Sequence, residues 1–263
     1  MSKKNKNHKN KHDKQLNSQT TEYIKDTSPV VPQRGKLKSE IHVYNRSDLT
    51  ENQKRFLKLA NDKEVKVIFI SGPAGTSKTF LSVLASLQLL NDKKVSDLIY
   101  LRSVVESSST KIGHLPGTIE EKVSVYLQPL MDKLEEILSK SDREILLKEQ
   151  RIWGMPLNFL RGVNWAVKAI ICDESQNMTY KEILTLITRV SEHSKLFILG
   201  DPNQSDINGN SGFVKMMDIF DDEESRKNGI FTFKFDTNDI VRSGLCRYII
   251  EKIDRDIPKP QKN

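Results

Sequence analysis

The sequence predicts an α/β protein built on a mostly parallel sheet with helices on both faces. Three observations carry that expectation. Short apolar runs read as buried strands, they alternate with stretches of helical apolar spacing, and one strand runs through a glycine-containing turn straight into a helix. Near-continuous apolar strands are what a sheet buried on both faces requires.

The elements follow in order along the chain. Ser47 or Thr50 caps a short helix reaching Leu59, and Val65 to Ile70 reads as the first strand. Beyond the turn, Phe80, Leu81, Leu84, Leu87 and Leu90 recur at helical spacing. Asp97 to Leu101 is a second strand, and residues 103–117 form a Ser- and Gly-containing loop. Thr118 with Glu121 makes a capping box for the next helix, whose apolar stripe runs from Leu127 to Leu138 and which Pro129 is expected to kink or split. Ala169 to Asp173 is a third strand, Thr179 with Glu182 caps another helix, and Lys195 to Gly200 is a fourth strand. Ile230 to Phe235 is a fifth, followed by a helix from about Asn238 to Ile253. No internal repeat is visible.

Composition divides the chain unevenly. The formal charge is +7 over 263 residues, yet six lysines against Asp13 alone give residues 1–14 a charge of +5, leaving +2 for the rest. Residues 1–46 therefore read as a disordered basic arm, 47–257 as one folded domain and 258–263 as a tail. Two readings of the arm stay open: a solubilising tail, or a salt-sensitive tether to nucleic acid. The lack of aromatic residues before Tyr23 favours the first. Cys172 and Cys246 are too few for a disulfide framework or a zinc set, which points to a cytoplasmic protein. No apolar stretch reaches the roughly 18–20 residues of a membrane span, and the lysine-rich start has no apolar signal segment.

Three motifs carry chemistry. Gly72-Pro73-Ala74-Gly75-Thr76-Ser77-Lys78-Thr79 lies between a strand and a helix, where backbone amides cradle phosphate and the helix dipole favours negative charge. Lys78 is then placed for the β- and γ-phosphates of ATP, and the Thr79 hydroxyl for Mg²⁺. Ser77 stands where the pattern has its second glycine. Asp173 and Glu174 end the third strand. The first carboxylate suits Mg²⁺ through its water shell, and the second suits an attacking water. Adjacent acids are common on surfaces, but both motifs fall at the carboxyl ends of strands, where α/β sheets bind ligands. Gln204, in Gly200-Asp201-Pro202-Asn203-Gln204, sits at that same edge and is placed to contact the γ-phosphate or its water.

Together with Arg102, Glu106, Gly113, Leu115-Pro116-Gly117, Glu121-Lys122, Tyr126-Leu127, Pro156-Leu157, Phe159-Leu160-Arg161-Gly162 and Asp239-Ile240-Val241-Arg242, these motifs resemble the PhoH-like ATPases over residues 47 to 254. Ser77 for glycine and Ser175 for the usual alanine are the departures. The resemblance implies a RecA-like P-loop NTPase core related to the N-terminal half of superfamily 1 helicases. It further implies an adenine contact for Gln53 and matches Arg242 and Arg189 to family arginines. Arg242 is the better candidate for neutralising charge in the transition state. A single such core needs an oligomer to act as a motor, and the resemblance suggests a hexameric ring. The functional expectation is an ATPase acting on or with RNA or single-stranded DNA. A nucleotide-dependent assembly scaffold with little turnover is the alternative, and a small-molecule kinase ranks third.

Overall fold

The computed structural model describes residues 35–103, 119–157, 165–191, 193–207, 209–241 and 244–256. Fourteen helices and strands make up the described fold. They are α1 (Glu51–Asn61), β1 (Val67–Ser71), α2 (Lys78–Asn91), β2 (Asp97–Arg102), α3 (Ile119–Ile137), α4 (Lys140–Lys148), β3 (Ile152–Pro156), β4 (Lys168–Asp173), α5 (Tyr180–Ile187), β5 (Lys195–Gly200), α6 (Phe213–Ile219), α7 (Glu223–Lys227), β6 (Ile230–Lys234) and α8 (Gly244–Asp256). The six strands form one sheet in the order β3-β2-β4-β5-β1-β6, and every pairing is parallel.

Alternation along the strands builds two cores. Ile68, Ile70, Leu98, Tyr100, Ile171, Phe197 and Leu199 face one side, where α1, α2 and α3 supply Phe56, Leu84 and Leu134. Phe69, Ile99, Ile170, Cys172, Leu196 and Ile198 face the other, where α5 and α6 supply Ile183, Leu186 and Met216. A pleated strand turns successive side chains to opposite faces, so continuous apolar sequence feeds both cores at once. Burial pushes the Cys172 thiol up to about 12, as befits a core residue.

Several expectations are refined. Thr50, not Ser47, caps α1, and its partner in the capping box is Gln53. The Thr179–Glu182 box is present, whereas Thr118 lies outside the described residues. Pro129 neither splits nor ends α3, which runs continuously from Ile119 to Ile137. The end of the expected arm is part of the fold: Leu37 and Ile41 are buried, and Val43 bridges Leu138. Spaced apolar residues in a polar segment anchor it by packing, which average composition conceals. Strand β3 adds a sixth to the expected five. It contains Gly154 and Pro156, residues that weaken a strand signal and that an edge position tolerates. The expected last helix starts later: a 3₁₀ turn (Thr237–Asp239) and extended Ile240 come before α8. Among the described residues, no helix is long and apolar enough to cross a membrane.

Candidate nucleotide site

Strand order decides which motifs meet. β5 lies between β1 and β4, so Gly200-Asp201 emerges between the loop that follows β1 and the carboxylates that end β4. A cleft of about 450 Å³ opens there, lined by Gly75, Ser77, Lys78, Thr79, Asp173, Glu174, Asp201 and Gln204 among others. Three of the expected motifs thus share one space.

The loop has the backbone of an anion cradle. Gly75 has φ 84° and Ser77 φ 65°, both left-handed, and α2 begins at Lys78. A Cβ on Gly72 would stand 2.7 Å from the Cβ of Phe235, so that position requires glycine. Ser77 takes the left-handed conformation at a cost of about 1–2 kcal/mol. Ser77→Gly is therefore expected to stabilise the protein by about 1 kcal/mol, after the greater freedom of unfolded glycine is offset. The thermal midpoint should rise by about 2–4 °C, read by calorimetry or circular dichroism. A fall would mean that the serine is stabilised by contacts the loop geometry does not reveal.

Lys78 donates from Nζ to the carbonyl oxygens of Gly72 (2.6 Å) and Pro73 (3.0 Å). Burial holds its ammonium below the ordinary lysine range, against the pull of Asp201, Asp173 and Glu174. The Thr79 hydroxyl donates to Asp173 Oδ2 (3.0 Å), Tyr100 donates its phenol to the same oxygen (2.7 Å), and the Glu174 amide donates to Oδ1 (3.0 Å). Burial pushes the Asp173 carboxyl up, and these hydrogen bonds pull it down. A buried carboxylate beside a threonine hydroxyl is a fitting hard-oxygen pair for a divalent cation. Among the described residues no cluster of three or more His, Cys, Asp or Glu side chains could hold a metal alone. Mg²⁺ would thus depend on the nucleotide's phosphates for further ligands, as it commonly does.

Glu174 has φ 56°, a left-handed conformation uncommon for a glutamate. Its Oε1 lies 3.4 Å from Arg102 Nη2, and its Oε2 accepts from Gln176 Nε2 (2.7 Å). Gln176 Oε1 in turn accepts from the Asp201 amide (3.1 Å), joining the second motif to the third. Gln204 is exposed and lines the cleft.

Gln53, expected to contact adenine, is held by polar contacts behind the loop. It is fully buried behind the loop, donating to the carbonyls of Thr76 (3.2 Å) and Asp239 (3.0 Å) and accepting from the Thr50 amide (3.1 Å). Both amide hydrogens are engaged, so an adenine contact would require breaking these bonds. Arg242 lies outside the described residues, directly after Val241, which lines the cleft and donates its amide to the Gly75 carbonyl (3.3 Å). Arg189 follows α5 beside Trp165, at the opposite end of the sheet from the cleft.

Tyr100 and Gln176 are the site residues that motif reading missed. Tyr100 sits inside an apolar strand, and only the β2–β4 pairing reveals its reach to Asp173. Gln176 carried a signal, since it lies two residues after Glu174.

A family model described as PhoH-like protein matches residues 47–254. The PhoH-like protein of Bacillus subtilis (strain 168) is 33% identical over 193 residues, covering 73% of this chain and 60% of that protein. The PhoH-like protein of Synechocystis sp. is 32% identical over 208 residues, covering 78% and 61%. Protein PhoH of Escherichia coli (strain K12) is 30% identical over 201 residues, covering 75% and 55%. The matched region thus spans little more than half the length of these curated relatives. Among solved structures, the large terminase of a thermophilic bacteriophage aligns with TM-score 0.48 at 14% identity, over 81% of this chain and 52% of the terminase. A crystal form of that terminase in complex with ATP-gamma-S aligns with TM-score 0.47 at 14% identity, over 81% and 50%.

Proposed function

The chain belongs to the PhoH-like family, and from that premise we propose that it hydrolyses ATP with Mg²⁺ and couples the turnover to RNA or single-stranded DNA. The observation that carries the hydrolytic reading is the placement of Glu174. It stands at the cleft beside Lys78, Thr79 and Asp173, held in a strained backbone conformation by the strand end and oriented by Arg102 and Gln176. Strain of that kind persists where the surrounding structure enforces it, and it gathers at sites of chemistry.

In this reading the loop amides and Lys78 bind the β- and γ-phosphates. Thr79 and Asp173 would hold Mg²⁺, which would supply neutralisation of the phosphate charge. Glu174 accepts a proton from water as its oxygen attacks the γ-phosphorus, and the bond to the β–γ bridging oxygen breaks to release ADP. Gln204 positions that water or the γ-phosphate. Arg242 neutralises developing charge, either in its own chain or from a neighbouring copy in a homo-oligomer. Support for such an oligomer comes from α8, where Leu245, Tyr248, Ile249 and Ile253 present an exposed apolar stripe at helical spacing. Gln53 serves as a brace for the loop.

Phosphate release measured with and without single-stranded RNA or DNA at low salt tests the coupling. Stimulation of several-fold or more is expected. Turnover that ignores both polymers would remove the nucleic-acid half of the proposal and leave the hydrolytic half standing.

A further inference from the structure

We propose that the protein carries a second anion site, a lysine-lined cavity at the amino end of the sheet that takes a run of phosphate groups. The cavity measures about 580 Å³ and is lined by Lys36, Lys63, Lys66, Lys93, Lys94 and Lys195, with Asp92 as the one acidic side chain among its lining residues. Lys66 precedes β1, Lys93 and Lys94 follow α2, and Lys195 opens β5, so separate parts of the chain deliver the charge to one place. The nucleotide cleft lies at the other end of these strands. The six residues of β5 separate the two sites by about 20 Å, at a rise of about 3.3 Å per residue.

The charges here are poorly compensated. Lys195 is buried in the cavity floor, its Nζ engaged by the Asp62 backbone carbonyl. Burial pushes its ammonium down to about 8, against the pull of Asp62 and with the help of Lys94. At the rim, Lys94 pairs with Asp92 (3.0 Å) and Lys63 with Glu64 (3.7 Å), in exposed pairs of the kind that contribute little. Lys36, Lys66 and Lys93 form no ion pair among the described residues.

Lysines after a helix are favoured by its dipole, and that alone accounts for Lys93 and Lys94. It does not account for Lys36, Lys63, Lys66 and Lys195, which come from other elements. Nor does it explain the backbone. Lys93 (φ 59°), Val167 (φ 60°) and His193 (φ 62°) all line this cavity in left-handed conformations. Lys93 occupies the position after the C-cap of α2, where closing bonds from Lys93 N to Leu90 O and Lys94 N to Leu89 O ordinarily go with glycine. A charge stands there at the expense of conformational ease.

The lining names the ligand's chemistry. Ammonium groups on flexible stems suit a succession of phosphates, whereas a planar carboxylate is matched by the fork of arginine, which is missing from the lining. No aromatic side chain other than the His193 imidazole lines the cavity, so bases find little stacking surface and recognition is independent of sequence. Nucleic-acid backbone and inorganic polyphosphate share this chemistry.

The test uses the full chain and fluorescence anisotropy of a labelled oligo-dT 20-mer and of labelled polyphosphate. The triple variant Lys36→Gln, Lys66→Gln, Lys93→Gln should lose at least tenfold in affinity for one polymer or both. For oligo-dT, the slope of log affinity against log salt should fall by about 2, at roughly 0.7 per phosphate contact. Loss for one polymer alone identifies the source of the phosphates. Lys93→Gly should weaken binding while the thermal midpoint holds or rises, which separates lost charge from lost folding. Unchanged affinity and slope in the triple variant would overturn the site and leave the lysines of residues 1–14 to carry any binding.

Discussion

Replacing Glu174 with glutamine is expected to lower ATP turnover by about 10²–10⁴-fold while nucleotide affinity stays within a few-fold. The substitution keeps the shape of the side chain and an oxygen able to accept from Gln176 Nε2. It removes the oxygen proposed to take the water's proton and the charge that faces Arg102 at 3.4 Å. The pair with Arg102 is partly exposed and long at 3.4 Å, so it contributes little to stability and folding should be nearly unaffected. Phosphate release and the binding of a fluorescent ATP analogue, measured on the same preparation, check the two halves separately. Normal hydrolysis by the Glu174→Gln variant would mean that another group activates the water. Weak binding with normal folding would place Glu174 in nucleotide recognition instead.

Lys78→Ala should act at the earlier step. A charge-assisted hydrogen bond contributes about 1.5–3 kcal/mol, so its loss predicts ATP binding weaker by at least about tenfold. Stability should move the other way. Burial holds the Lys78 ammonium below its ordinary range, so the charged group binds its proton less tightly in the folded chain than in the unfolded one. Its charge therefore opposes folding at neutral pH, and this penalty fades as pH rises through the lowered value. Removing the side chain should leave the thermal midpoint of the nucleotide-free protein level or raised, offset in part by the lost bonds to Gly72 and Pro73. The same lowered value gives ATP affinity a pH dependence. Phosphates favour the ammonium form, so affinity should decline as pH rises through it. Calorimetric titration at several pH values tests this, and a pH-independent affinity would show that Lys78 stays charged throughout.

Much of this architecture was legible in the sequence because each buried strand is short, apolar and followed by a polar motif. Five strands and the helices after Ser77 and Thr179 follow from periodicity and capping chemistry alone. Strand order was not legible. Local sequence does not encode that β5 lies between β1 and β4, yet this order brings Gln204 to the carboxylates and lets Gln176 reach the Asp201 amide. Edge strand β3 was hidden because Gly154 and Pro156 interrupt its strand signal, and only the packing shows that Gly154 yields its side-chain space to Leu127 of α3. The resemblance did not reveal the contacts of Gln53. The glutamine is where the family pattern puts it, but the capping box at Thr50 and the carbonyls behind the loop use its polar atoms.

Those same carbonyls bear on how cheaply a nucleotide can be held. The Gly75 carbonyl is tied to the Val241 amide and the Thr76 carbonyl to Gln53, so both peptide planes are held in one orientation by these anchors. In a trans peptide the N–H points opposite to its C=O, so the amides of Thr76 and Ser77 face away from those anchors. Folding has thus already met the entropic cost of aligning these dipoles. An arriving phosphate meets donors fixed in advance, and little of its binding energy is lost to ordering the loop.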